Sequence, residues 1–176
     1  VHSDTMDDAG LSVELRAVAT SARRRAARDG DRQLDTAHLL HSLLENDPRV
    51  RDILDGGSGD GRLVRVLGYL VQRSIGYGMR WRESVEDSGA LPVVPGLPGW
   101  SPSAAAAVKA ATARARDRGV AQSNGTDLLA ALAADPECRA AEVLRHAGVE
   151  PRELLTALPD QRRPVSCYGG DGTVAS

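Results

Sequence analysis

The sequence predicts an all-α fold of eight helices, arranged as two pseudo-twofold four-helix repeats, and three observations carry that prediction. First, the chain repeats itself at one constant offset. Ser12 falls on Ser101, Ala22 on Ala111, Ala26 on Ala115, Gly30 on Gly119, Leu39-Leu40 on Leu128-Leu129 and Leu43 on Leu132. One residue then drops out, so that Asp47-Pro48 answers to Asp135-Pro136. Second, apolar residues recur with helical spacing and strand-type alternation is nearly absent. Third, Phe is missing and aromatics make up 3% of the 176 residues, which leaves a core of Leu, Val and Ala suited to closely packed helices. A repeated supersecondary unit seldom buries its apolar face alone, so the halves are expected to pack against each other.

The elements follow in order. Leu11, Leu15, Val18, Ala22 and Ala26 mark one face of a first helix, with Ser12 as its N-cap and Gly30 as its stop. A second helix starts near Thr36 and carries Leu39, Leu40, Leu43 and Leu44. Asp47-Pro48 supplies a cap and a first-turn proline for a third, with Val50, Ile53 and Leu54. Asp60 can cap a fourth, through Leu63, Leu67, Leu70 and Ile75. In the second half, Ser101-Pro102 opens a helix through Arg118, and another spans about Gly125–Ala134. Asp135-Pro136 opens a third through His146, and Pro151 begins a short last helix with Leu154, Leu155 and Leu158.

Residues 1–10 read as a polar leader, 11–75 as the first repeat and 101–158 as the second. The Gly- and Pro-rich stretch 76–100 reads as a linker, longer than most connections in a compact domain. The polar tail 159–176, with Gly169-Gly170 and Gly172, is expected to be disordered.

Composition excludes several function classes. A net charge of −2 makes no global electrostatic case for nucleic acid or an anionic membrane. Lys109 is the only lysine among 22 basic residues, which together with abundant Ala reads as high-GC coding bias. Arg23-Arg24-Arg25 and Arg28 spread around a helical turn and are diluted by Asp29, Asp31 and Asp35, so a solvated face is the simpler reading. No apolar run reaches the roughly 20 residues that span a bilayer, the start is unlike a signal peptide, and a cytoplasmic protein is expected. Cys138 and Cys167 have no metal or redox spacing, and His2, His38, His41 and His146 lack metal-ligand spacing. No Gly-x-x-x-x-Gly-Lys-Ser/Thr is present to cradle ATP, and no nucleophile–base set has a recognisable signature. No cofactor, no metal and no peptidase or ATPase activity are expected.

With both repeats read out, the layout resembles the amino-terminal repeat domain of Clp (Hsp100) unfoldases, the ClpC type above all. Repeats there typically read aromatic-Thr-x-x-Ala, a helix ending at Gly, Gly-Thr-Glu-His-Leu-Leu-x-x-Leu, then Gly-Val before the last helix. The second repeat here has Trp100-Ser101-Pro102-Ser103-Ala104, Gly119, Leu128-Leu129-x-x-Leu132 and Gly148-Val149. The first has Leu11-Ser12, Gly30 and Thr36-Ala37-His38-Leu39-Leu40-x-x-Leu43. The resemblance implies binding rather than catalysis, in a stand-alone relative of the unfoldase that acts as adaptor, competitor or ligand decoy. Its implied partners are a ClpC-type unfoldase or that enzyme's adaptors and substrates, and possible hydrophobic cyclic peptides.

The resemblance also marks site positions. Some family members hold phosphorylated arginine with the Glu of Thr-Glu-His on the guanidinium and a helix start on the phosphate. Here the two Glu positions are Ala37 and Thr126, so that reading is lost or much weakened, while the helix-start hydroxyls remain as Ser12 and Ser101. For the two serines, plain N-capping is the favoured reading and an anion-binding helix start the alternative. His38 reads as a satisfied structural group. Trp100 stands where the family carries an aromatic, beside its peptide groove. With Leu11, Val108 and Lys109 it is expected to form an apolar platform with one charge at the rim, or else to staple its own helix start. A sequestering protein for cyclic peptides, and a DNA-associated regulator using the Arg23–Arg28 face, are the rival readings.

Overall fold

The computed structural model describes residues 10–31, 33–56, 59–74, 86 and 99–158. Among them are eight helices: α1 (Val13–Asp29), α2 (Thr36–Asn46), α3 (Pro48–Asp55), α4 (Arg62–Ser74), α5 (Pro102–Asp117), α6 (Gly125–Ala134), α7 (Arg139–His146) and α8 (Pro151–Ala157). Two two-residue strands, β1 (Gln33–Leu34) and β2 (Gly99–Trp100), complete the elements. The leader 1–9, the tail from 159 and all of the linker up to residue 98 except Glu86 lie outside the described residues. None of the described helices is long and apolar enough to cross a membrane.

Local chemistry starts and stops these helices. Ser12 Oγ accepts the Leu15 amide at 3.2 Å, and Ser101 Oγ accepts that of Ala104 at 3.0 Å. Asp47 Oδ1 accepts the amides of Arg49 and Val50, launching α3 at its proline. Gly30 and Gly119, at φ 71° and 73°, follow α1 and α5 in the left-handed conformation that glycine adopts without steric cost.

The core is built on α2 and α6. Every residue from Thr36 to Leu44 and from Gly125 to Ala133 is buried, and a helix apolar nearly all round must be covered on all sides. α1 packs on α2 and α5 on α6; α2 and α6 meet across the repeats. The outer helices contribute mostly small residues, Ala22 and Ala26 from α1 and Ala104, Ala107, Ala111 and Ala115 from α5, so the helices approach closely. Leu39, Leu40, Leu43 and Leu44 are each at most 1% exposed. Truncating such a leucine to alanine costs about 2–5 kcal/mol.

The two strands are a feature the helical pattern did not announce. β1 and β2 pair in parallel, with Leu34 opposite Trp100, and the Ser101 amide donates to Leu34 O at 2.8 Å. A symmetry-related bridge joins Leu11 to Ser123, with the Ser12 amide donating to Ser123 O at 3.1 Å. Each repeat therefore pairs the segment before its first helix with the α1–α2 or α5–α6 turn of the other.

One helix start differs from the sequence expectation. Asp135-Pro136 does not open α7, which begins at Arg139 with Cys138 as its N-cap. Asp135 Oδ1 accepts the Glu137 amide, and the Cys138 amide returns to Asp135 O at 3.4 Å, so Asp135–Cys138 closes a turn instead. Asp47, by contrast, captures two amides and carries its proline straight into a helix.

Candidate functional site

Three helix starts converge on one carboxylate. Glu86, only 4% exposed, accepts the Thr36 amide at 2.8 Å and the Thr36 hydroxyl at 2.6 Å. It also accepts the Ser101 hydroxyl at 3.3 Å and the Arg139 amide at 3.2 Å. Thr36 Oγ1 in turn accepts the Ala140 amide, and Cys138 Sγ accepts that of Ala141. The first three amides of α7, which no intrahelical carbonyl can satisfy, are thus all taken by side chains. Burial, and secondarily the nearby Asp35 carboxylate, push the Glu86 carboxyl above its ordinary range, while the bonds from Thr36 and Arg139 pull it back.

Asp35 forms the second hub, one residue away. Its Oδ1 accepts the His38 amide, and the Asp35 amide donates to His38 Nδ1, a reciprocal capping box at the head of α2. Its Oδ2 pairs with Arg73 of α4 at 2.5 Å and Arg139 of α7 at 2.8 Å, tying three helices together. Burial opposes ionisation here, but His38, Arg73 and Arg139 overcome it and hold Asp35 well below the usual carboxylate range. His38 is fully buried; burial lowers its basicity, yet Asp35 and the bond to Asp31 Oδ2 at 2.6 Å leave it raised.

The second repeat keeps this box with the signs reversed. Asn124 caps α6 and Asp127 closes the box in place of His38. Asp127 pairs with Arg118, which stands where the first repeat has Asp29, and that pairing raises the Arg118 pKa. Asp29 in turn lies with Asp31 beside His38, their ligand atoms within 4.8 Å of one another. A cation there would have to compete for a His38 ring whose two nitrogens already serve Asp35 and Asp31.

Beside the Glu86 cradle lies an open cavity of about 210 Å³ between α5 and α6. Its walls include Ala107 and Ala131, and Thr36, Ser103, Asp135 and Cys138 supply polar groups. Thr36 belongs to both cavity and cradle, and Cys138 directly precedes Arg139. Burial pushes the Cys138 thiol up to about 11, so it is a packing and capping group rather than a nucleophile.

The residues singled out from sequence are placed as follows. Ser12 and Ser101 are N-caps, half-buried and fully buried respectively. Strand pairing sets each beside the start of the other repeat's central helix, whose first turn holds Thr126 or Ala37, both buried. The expected platform is divided. Leu11 and Val108 meet, but at 3% and 6% exposure they are core, lining a void of about 10 Å³ with room for one water at most. Trp100 is half-buried beside Leu34 and packs on the core, and Lys109 is exposed. On α1, Arg23, Arg24 and Arg28 face solvent while Arg25 pairs with Glu45 at 2.5 Å. Glu86 escaped the sequence reading, because nothing in its spacing sets it apart from Glu83 and Asp87 nearby.

Solved structures of similar overall fold cover most of the chain. The amino-terminal domain of the caseinolytic protease-associated chaperone ClpD from Arabidopsis thaliana matches 89% of this chain and 96% of its own, at 21% identity and a TM-score of 0.63. The Hsp104 amino-terminal domain from Candida albicans matches 86% and 91%, at 13% identity and a TM-score of 0.65. This chain has the Clp amino-terminal domain fold. A third such domain, from the ClpV1 ATPase of an E. coli type VI secretion system, matches 88% and 91%, at 18% identity and a TM-score of 0.58. No protein-family model and no curated protein sequence matches the chain.

Proposed function

We propose that this Clp-type domain is a non-catalytic module that binds protein or peptide segments and modulates a ClpC-type unfoldase–protease as adaptor, competitor or decoy. The observation that carries the reading is the open cavity between α5 and α6, walled by alanine and edged with polar groups. Such a pocket takes one aliphatic side chain of an extended segment, with Thr36, Ser103 and Asp135 as polar groups at its edge. The fold supports the reading: solved structures sharing it include amino-terminal domains of Clp and Hsp104 chaperones, and one is described by a peptide from the type VI secretion protein SciI.

The mechanism is occupancy. By binding what the unfoldase's own domain binds, the module delivers or withholds it. Titrating the protein into a ClpC-type degradation assay should change the rate of substrate loss in a concentration-dependent way. An unchanged rate over a wide range, with the fold intact, would dismiss the reading. Sequestration of hydrophobic cyclic peptides is the second reading. The void at Leu11 and Val108 is too small for such a ligand, which would take the α5–α6 cavity instead, and amide shifts at Ala107 and Ala131 would report it.

A further inference from the structure

We propose that Glu86 is an internal occupant of a carboxylate-binding cradle, displaced by a partner peptide whose carboxylate lies beside an aliphatic side chain. This deepens the peptide-binding reading and rests on it, naming the ligand chemistry of the same face.

The cradle belongs to the folded repeats. Its donors are the Thr36 amide and hydroxyl at the head of α2, the Ser101 hydroxyl at the head of α5 and the Arg139 amide at the head of α7. Three helix starts aimed at one point make a positive focus whose natural occupant is an anion. The group there is a carboxylate, and its two oxygens divide the donors: Oε1 takes the Thr36 hydroxyl and the Arg139 amide, Oε2 the Thr36 amide and the Ser101 hydroxyl. Glu86 comes from outside every helix and strand and lies distant in sequence from Thr36 and Arg139.

One feature of the geometry makes it an exchangeable occupant rather than a fixed brace. Glu86 fills only the cradle: the 210 Å³ cavity begins at Thr36, and Glu86 is not among the residues on its walls. A peptide carboxylate joined to an aliphatic side chain would keep the same hydrogen bonds and add apolar burial that Glu86 does not have. That carboxylate can be a chain terminus or an acidic side chain, since both present the same two oxygens.

The test uses the full chain as wild type, Glu86→Ala and Glu86→Gln, followed through backbone amide shifts of Thr36, Arg139 and Ala140. Three heptapeptide probes separate the sources. One ends in a leucine with a free carboxylate and has no acidic side chain; one is amidated with Glu beside Leu; the third is amidated and carries no acid. Glu86→Ala should bind at least one of the first two about tenfold more tightly than wild type, because the competing occupant is gone. Binding of the first alone assigns the cradle to chain termini, and of the second alone to acidic side chains. Glu86→Gln, which keeps the shape and loses the charge, should show the same direction of change and serves if the alanine variant fails to fold. Equal binding by wild type and both variants, or no shift at these amides in a folded variant, overturns the proposal. If the acid-free peptide alone binds, and equally to all three proteins, the cradle proposal fails while the peptide-binding reading stands.

Discussion

His38 and His41 sit one turn apart on α2, both buried, and their protons respond to pH in opposite ways. His38 lies between Asp35 and Asp31, which raise its pKa against the effect of burial. His41 is pushed down to about 4 by burial and by Arg25, with Glu45 only partly compensating. The linkage has opposite signs as well. The His38 contribution to stability is fully present below the unfolded value of about 6.5 and is lost as pH rises through its folded value. The His41 contribution is present above about 6.5 and is lost as pH falls toward about 4, because the unfolded chain takes that proton first. Ring titration by NMR should place the His38 midpoint above the ordinary range and the His41 midpoint well below it. Midpoints near the ordinary value for these two rings would contradict the ion-pair geometry around α2. In the sequence the two residues look alike; Asp31 and Asp35 beside one ring, and Arg25 beside the other, separate their chemistry.

Helix starts were readable in the sequence where a capping oxygen had a single outlet. Ser12, Asp47 and Ser101 each precede a run that can only continue as helix, and each caps as expected. Asp135-Pro136 presents the same two letters as Asp47-Pro48 yet closes a turn, since the local pattern does not reveal that Glu86 and Thr36 will satisfy the next helix start instead. Close approaches between elements are equally hidden. Gly125, at the start of α6, faces the Asp47 carboxylate, and a Cβ there would fall inside contact distance of it and 3.1 Å from Leu43 Cδ1. Gly68, within α4, has open space where its Cβ would stand. Gly125→Ala should therefore destabilise by about 1–3 kcal/mol, whereas Gly68→Ala should stabilise by about 0.5–1 kcal/mol. Urea unfolding measures both, and shifts of the same sign would refute the packing account.

At the scale of the whole molecule, the repeat was visible in the sequence because it governs core positions, whereas the candidate site was not, because it depends on what the repeats do not share. Ala22, Leu39 and Gly30 have counterparts at the common offset, so the pairing of halves could be anticipated. Glu86 has none, and the cavity arises where α5 and α6 meet beside it. The pairing is stronger than face-to-face packing, since each half pairs backbone with a turn of the other through Leu11–Ser123 and Leu34–Trp100. Separately produced fragments 10–74 and 99–158 should each lack cooperative unfolding, as followed by circular dichroism. A sharp thermal transition in either fragment alone would show that the exchanged backbone pairing is dispensable.

The sign reversal between the two capping boxes makes the halves non-interchangeable. Across the repeat offset, His38 beside Asp29 and Asp31 answers to Asp127 beside Arg118, so each box carries its own set of neighbours. A chimaera joined between the paired positions would set acid against acid, Asp29 facing Asp127, and leave a buried carboxylate without its arginine.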